Sequence, residues 1–510
     1  MRNRVRTSAV ALVLLTTTFG AGHAAPVIPI GGLTQRPCTP EGPLDVVRPA
    51  GCRRMTFAYG PLHVTSGDNL ILFGPVTIER PRADGYVVRF KPDLVRLDGT
   101  VPPIEELHLH HSVWISTAFS NPMFASGEEK TIFSLPNGYG IPSHPYQELW
   151  LLNYMLHNQI QKPDNVFITY TIDFIPMSSP AAASISPVEP FWLDVAGFQG
   201  ANPVYNTQRG FGATSGECAF PREECARFDP FGKTDVPGNG APGNGVGYVA
   251  TPPAGTVVWM VGHVHPGGLR TDVEVMRGTE RRRVFTSDAV YFDPGGPVSW
   301  DMAMETTRAD YRLRLSPGDK LVLNSVYETA HASWYEGMGI VVMFIARDDT
   351  SGPDPFVTTV DPDNTAITHG HLPEADHHGG PDGPAGPAPK RVAWGSVGIA
   401  AYNYLPGQAG TIPVVKRGDP ISFYNFDAAA QIFHTVTACA APCNGPTGIS
   451  YPLANGPIDF DSLELGYGIT GLTAASNRWD FTIDTTPFPP GEYDYFCRIH
   501  PFMRGAFAVE

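Results

Sequence analysis

The chain reads as all-β, and three observations predict it. Short runs alternate apolar and polar residues, as in Gly85-Tyr-Val-Val-Arg-Phe90 and Val166-Phe-Ile-Thr-Tyr-Thr-Ile-Asp-Phe174. Turn residues punctuate these runs: the 510 residues include 54 Gly and 51 Pro, which argues for many turns and against long helices. Hydrophobic residues make up 42% and charged residues 17%, enough apolar surface to bury real cores in about three domains of ordinary size.

Taken in order, residues 1–25 read as a secretory signal peptide. Arg2, Arg4 and Arg6 form a positive region, Ala9 to Phe19 an apolar run, and small residues end near Ala24-Ala25. The run is too short to span a bilayer, so export to an extracellular or periplasm-like compartment is expected, with no stable membrane anchor. Residues 26–180 and 181–348 form two strand-rich units, the second containing Thr256 to Val261, Lys320 to Tyr327 and Ile340 to Ala346. Residues 349–389 are rich in Pro, Gly, Asp and His and read as a linker, and 390–510 form a third strand-rich unit. The formal charge of −15 becomes more negative once the signal's three arginines are lost. Such a surface suits solubility and is a poor match for nucleic acid.

Seven cysteines are present. Six fall into close pairs in turn-rich sequence, Cys38 with Cys52, Cys218 with Cys225 and Cys439 with Cys443, where short disulfide loops are expected in an oxidising compartment. Cys497 is left over, as a free thiol, an intermolecular bridge or a ligand. Its context favours a ligand. Tyr493-Asp-Tyr-Phe-Cys497-Arg-Ile-His500-Pro-Phe-Met503 leads a strand into a tight loop with spacing Cys-x2-His-x2-Met, and His434 lies upstream in the β-type run Phe433-His434-Thr-Val-Thr437. A thiolate and two imidazoles make a trigonal copper site, and a weak axial thioether tunes its potential. The segment resembles the cupredoxin family, its loop being most similar to the amicyanin type. The resemblance covers residues 390–510 and implies a Greek-key β-sandwich with one type 1 copper held by His434, Cys497, His500 and Met503.

The first two units concentrate histidines. In Leu107-His108-Leu-His110-His111-Ser-Val-Trp114, a regular strand places His108 and His110 on one face and His111 on the other; an adjacent pair can still share a metal at a bulge. His157 ends an apolar run, and alone reads as a core or surface histidine. His263-Val-His265 puts two histidines on one strand face, a good metal chelate, and Met338 alone reads as core. In this order the motifs, with Leu135-Pro-Asn-Gly-Tyr-Gly140 and Gly318-Asp-Lys-Leu between them, resemble the copper type II, ascorbate-dependent monooxygenases over residues 55–348. The resemblance implies two jelly-roll-type β-sandwiches and two further mononuclear coppers, one on His110, His111 and His157, the other, catalytic, on His263, His265 and Met338. It implies hydroxylation of a C–H bond with O2 and two electrons. The positions where that family grips a substrate carboxylate hold Val261, Ile340 and Val342, so a small, rather apolar substrate is expected.

The resulting expectation is an exported copper monooxygenase-like protein. It would act on a small-molecule substrate and O2, with electrons from an external donor relayed through the fused blue-copper unit. The alternative is a non-catalytic extracellular copper-binding or electron-transfer protein. The linker histidines His369, His371, His377 and His378 read as part of a solvated tether or as copper-capturing groups. His331 reads as a neighbour of Met338 or a surface residue.

Overall fold

A computed structural model describes residues 35–195, 205–207, 217–220, 249–372 and 390–510, apart from 72–73, 294–295, 298–299, 331–333, 408–409, 431, 440–459, 463–464, 468–476 and 501. The signal peptide, Cys225, His331, His377, His378 and Cys443 lie outside them. The described chain is all-β, with two short 3-10 turns and no α-helix among these residues.

The first unit has five long strands, β1 (Arg53–Val64), β2 (Gly85–Arg96), β3 (Leu107–Ser116), β4 (Trp150–Asn158) and β5 (Asp164–Pro176). β5 lies between β1 and β2 in one antiparallel sheet, and β3 pairs with β4 in another. The two sheets face each other across an aromatic core: the Phe90 ring meets Trp114 at 4.9 Å and Tyr170 at 5.7 Å. Alternation explains the burial. Trp150, Leu152, Tyr154 and Leu156 of β4 point into this core, so Leu151, Asn153, Met155 and His157 take the other face. Cys38 and Cys52 form the expected disulfide at the start of the unit.

The second unit is one curved sheet path containing β6 (Gly255–His263), β7 (Gly268–Arg277), β8 (Glu280–Tyr291), β9 (Lys320–Glu328) and β10 (Ile340–Ala346). β10 pairs with β6, and β7 lies between β8 and β9. The two units share one continuous core, with Phe133 against Trp259 and Phe344 at 5.8 and 5.1 Å. Residues expected to begin a linker do structural work here. Thr365–Ile367 adds a strand beside Met302–Thr307, and Asp354 takes two bonds from Arg277, whose guanidinium covers Phe356. Charge pairing and strand addition hold 349–372 on the second unit despite a tether-like composition; residues 373–389 lie outside the described set.

The third unit packs the sheet of β11 (Ser396–Ala400) and β12 (Ile421–Asn425) on that of β13 (Gly491–Phe496) and β14 (Arg504–Val509). β11 and β12 run parallel, β13 and β14 form a hairpin, and Phe423 meets Tyr495 at 5.3 Å in the core between them. Met155 from the first unit belongs to this core.

Candidate metal centre

The loop between β13 and β14 carries Cys497, His500 and Met503, all fully buried. Short backbone bonds fix its shape: the Cys497 amide donates to the Met503 carbonyl, and the Met503 amide to the His500 carbonyl at 2.8 Å. His434 comes from the other side, where its backbone bridges to Leu465. The result is a compact triangle. His434 Nδ1 and His500 Nδ1 are 3.2 Å apart, and they lie 3.9 and 3.8 Å from the Cys497 sulfur. A circle through three atoms so spaced has a radius of about 2.1 Å, close to the length of a metal–imidazole bond. Apart from the disulfide sulfurs of Cys38 and Cys52 with Asp173, this is the one set of His, Cys, Asp or Glu among the described residues whose three ligand atoms lie within 4.8 Å of one another. The thiolate and two imidazoles therefore fit a copper ion.

Neighbouring groups hold each ligand in the required state. Asp427 accepts from His434 Nε2 at 2.9 Å, which directs Nδ1 and its lone pair at the sulfur. Asp427 is itself fixed by the amides of Ala401 and Tyr402. His500 Nε2 donates to the Gly67 carbonyl, 2.8 Å away in the first unit. The Thr435 and His500 amides point at the sulfur, at 3.3 and 3.4 Å. Burial alone would raise the Cys497 thiol's pKa, but the bonds and charge of His434 and His500 outweigh it and hold it well below the ordinary cysteine value. The sulfur is thus poised to ionise, as a metal ligand must.

This centre abuts the other histidines. The His500 ring stands edge-on to His157 at 5.8 Å. His157 lies opposite His108 in the β3–β4 register, and the two rings are 5.0 Å apart. The register shifts between Met155 and Leu156, so Leu109 and His111 are paired and His110 is the extra residue of a bulge. The bulge changes the alternation: His108 and His111 both take the face away from the core, and His110 sits 6.3 Å from His157. His111, expected beside His157, instead has His110 as its ring neighbour at 5.8 Å and feels the charge of His263. The ring facing His157 is His108.

His108 Nδ1 lies 3.0 Å from both the Ile104 carbonyl, an acceptor only, and Gln159 Nε2; the bond to Ile104 assigns the proton to Nδ1, which requires the Gln159 amide to be turned end for end. Burial, then the nearby charge of His110, pushes the pKa of His108 down to about 3, and burial with His110 does the same for His111. Both stay neutral with their lone pairs free of protons.

His263 and His265 of the second unit close onto this group. Their rings are 5.1 Å apart, and His265 reaches His110 at 4.8 Å. Glu129 of the first unit lies 3.2 Å from His263 Nδ1 and is pinned by the Gly127 amide. Gly127 is required there, because a Cβ would fall 2.7 Å from the His110 carbonyl and 2.8 Å from Glu129. The Tyr327 hydroxyl accepts from the His265 and Met338 amides and donates to the Met338 carbonyl, which brings that strand end to His265. Trp300 covers His108, His110 and His265, with ring centroids at 5.1, 4.9 and 5.3 Å. The two expected histidine sets are thus one continuous cluster between the units. Val261 and Val342 are paired neighbours buried in the shared core, and Ile340 is paired with His263.

His369 and His371, expected in a tether, fold back beside the cluster. His369 bonds to the Glu129 carbonyl, and His371 lies 2.9 Å from an Asp301 carboxylate oxygen. Sequence reasoning missed Asp427, Gly67, Glu129 and Trp300, and gave Tyr327 no role at the site. None sits in a ligand-like motif, and each matters only through a contact with a distant segment.

No protein-family model matches the chain, and no curated protein matches it. Among solved structures it is similar to amicyanins. The oxidised form of a proline-to-alanine amicyanin mutant is 24% identical over 22% of this chain and 80% of that one, at a TM-score of 0.15. The Cu(I) form of a methionine-to-alanine mutant is 26% identical over 24% of this chain and 92% of that one, also at 0.15. The likeness is local. The Cys497 centre rests on its own geometry, and the monooxygenase resemblance of the first two units remains a reading of sequence motifs.

Proposed function

We propose that the chain is an exported copper-dependent oxidoreductase in which electrons from an external donor enter at the Cys497 centre and pass to the histidine cluster between the first two units. There a small, rather apolar molecule would be hydroxylated, one oxygen of O2 entering a C–H bond and the other leaving as water with two electrons and two protons. The contact of His500 with His157 carries this reading. It joins a ligand of the Cys497 centre to the cluster by ring packing. Bound by His434, Cys497, His500 and Met503, copper would supply one-electron redox chemistry. The further coppers would be held among the histidines of the cluster: on the resemblance, by His110, His111 and His157, and by His263, His265 and Met338. Glu129 orients His263, Tyr327 orients His265 and Met338, and Trp300 keeps water from the rings between them.

A second reading has its own support. His110 and His265 touch and Trp300 lies over both, so the space a substrate would need between the two sets is filled. The chain would then be an electron-transfer or copper-binding protein without a reaction of its own. Mixing the reduced protein with O2 and candidate substrates separates the two. Substrate-dependent O2 uptake, lost in Met338→Ala, supports the oxidoreductase; reoxidation of the blue centre with no such uptake supports the second.

A further inference from the structure

We propose that His108, His110 and His157 form a metal site of their own, a three-imidazole copper site on the outer face of β3 and β4, directly beside His500. It departs from the ligand set the sequence resemblance implies by using His108 in place of His111.

The register puts His108 opposite His157, and the bulge at His110 adds a third imidazole to the same place. The three ring centroids are 5.0, 6.0 and 6.3 Å apart. His108 is 2% exposed and His157 3% exposed. With the His108 Nδ1 proton bound by Ile104, its Nε2 holds a buried lone pair that meets no hydrogen-bond donor. This arrangement is how proteins prepare a histidine for a metal, the outer nitrogen tied to a carbonyl and the inner one left open. His157, beside the Ile499 backbone, makes no well-formed hydrogen bond from either nitrogen. Buried polar atoms are otherwise almost always partnered. An all-imidazole set without a carboxylate suits copper. The nitrogens are more spread than those of the Cys497 centre, so capture requires rotation of the rings about their side-chain bonds. His111 is displaced from this set because its neighbours are His110 and His263.

The inference takes copper as the metal from the proposed function, but its test does not depend on turnover. The full-length chain and its variants are loaded with Cu(II), dialysed, and measured for copper per chain and by electron paramagnetic resonance. The blue absorption of the Cys497 centre reports folding. His108→Ala and His157→Ala are each expected to lose one equivalent of copper and its non-blue signal while the blue absorption persists, and His111→Ala to keep that signal. His108→Gln is the substitute if His108→Ala does not fold, with the same loss expected. Retention of the full copper content by the His108 variant, with loss in His111→Ala, overturns the proposal, as does a parent chain that binds a single copper. Normal copper loss without any substrate-dependent O2 uptake would instead defeat the catalytic reading and leave this site standing.

Discussion

Replacing Gly67 by Ala tests whether the third unit docks on the first as described. Gly67 has φ +65, and a Cβ there would fall 2.2, 2.5 and 2.9 Å from three carbons of the Tyr402 ring. The left-handed backbone costs about 1–2 kcal/mol for a residue with a Cβ. Overlap with a packed ring adds about 1–3 kcal/mol, because the ring must move. That movement pulls Tyr402 from its bond to the Ser66 carbonyl and shifts the Gly67 carbonyl away from His500 Nε2. The expected loss is roughly 2–5 kcal/mol. Gly99 is the control, since its φ is +88 and a Cβ there meets nothing within 4 Å. Gly99→Ala should show only the backbone cost. The assay is urea unfolding of the copper-loaded full chain, followed by the loss of blue absorption. Equal shifts in midpoint for the two variants would refute the contact between Tyr402 and the Gly67 turn.

Three other outcomes are expected. Asp427→Asn removes the carboxylate that orients His434 and should weaken copper binding at the Cys497 centre about 10–100-fold in competition with a chelator; unchanged affinity would contradict the role given to Asp427. Asp173→Ala removes the two bonds that hold buried Arg54 at 2.6 and 2.8 Å and leaves it Glu41 alone as counter-charge, and should cost about 1–3 kcal/mol of stability in denaturant titration. Glu105 is held near pKa 7 by burial, then by the charges of Glu106, Asp301 and Asp293. A carboxyl raised in the folded state binds its proton more tightly there, so the contribution of Glu105 to stability is full below pH 4.5 and is lost as pH rises to 7. Glu105→Gln should remove that loss, stabilising the chain by at most about 3 kcal/mol above pH 7 and by nothing below pH 4.5.

Fold class was legible because alternation and turn residues are local signals, and the chain is indeed all-β. The segment 349–372 was misleading for the converse reason. Its composition resembles a tether, yet Asp354 and Thr365 find partners on strands far away in sequence. The grouping of the histidines was hidden as well. A regular strand separates His108 from His111, and only the bulge paired against β4 puts both on one face.

The sequence by itself determined the all-β character, the Cys38–Cys52 pair and the gathering of Cys497, His500 and Met503 on one tight loop. These follow from residues close in the chain, where spacing restricts geometry. Tertiary structure alone decided how closely His434 approaches Cys497 and His500, that the two histidine sets merge beneath Trp300, and that His500 leans on His157. Each of those contacts joins segments from different sheets, and such packing is set by the burial of whole faces, which no local pattern encodes.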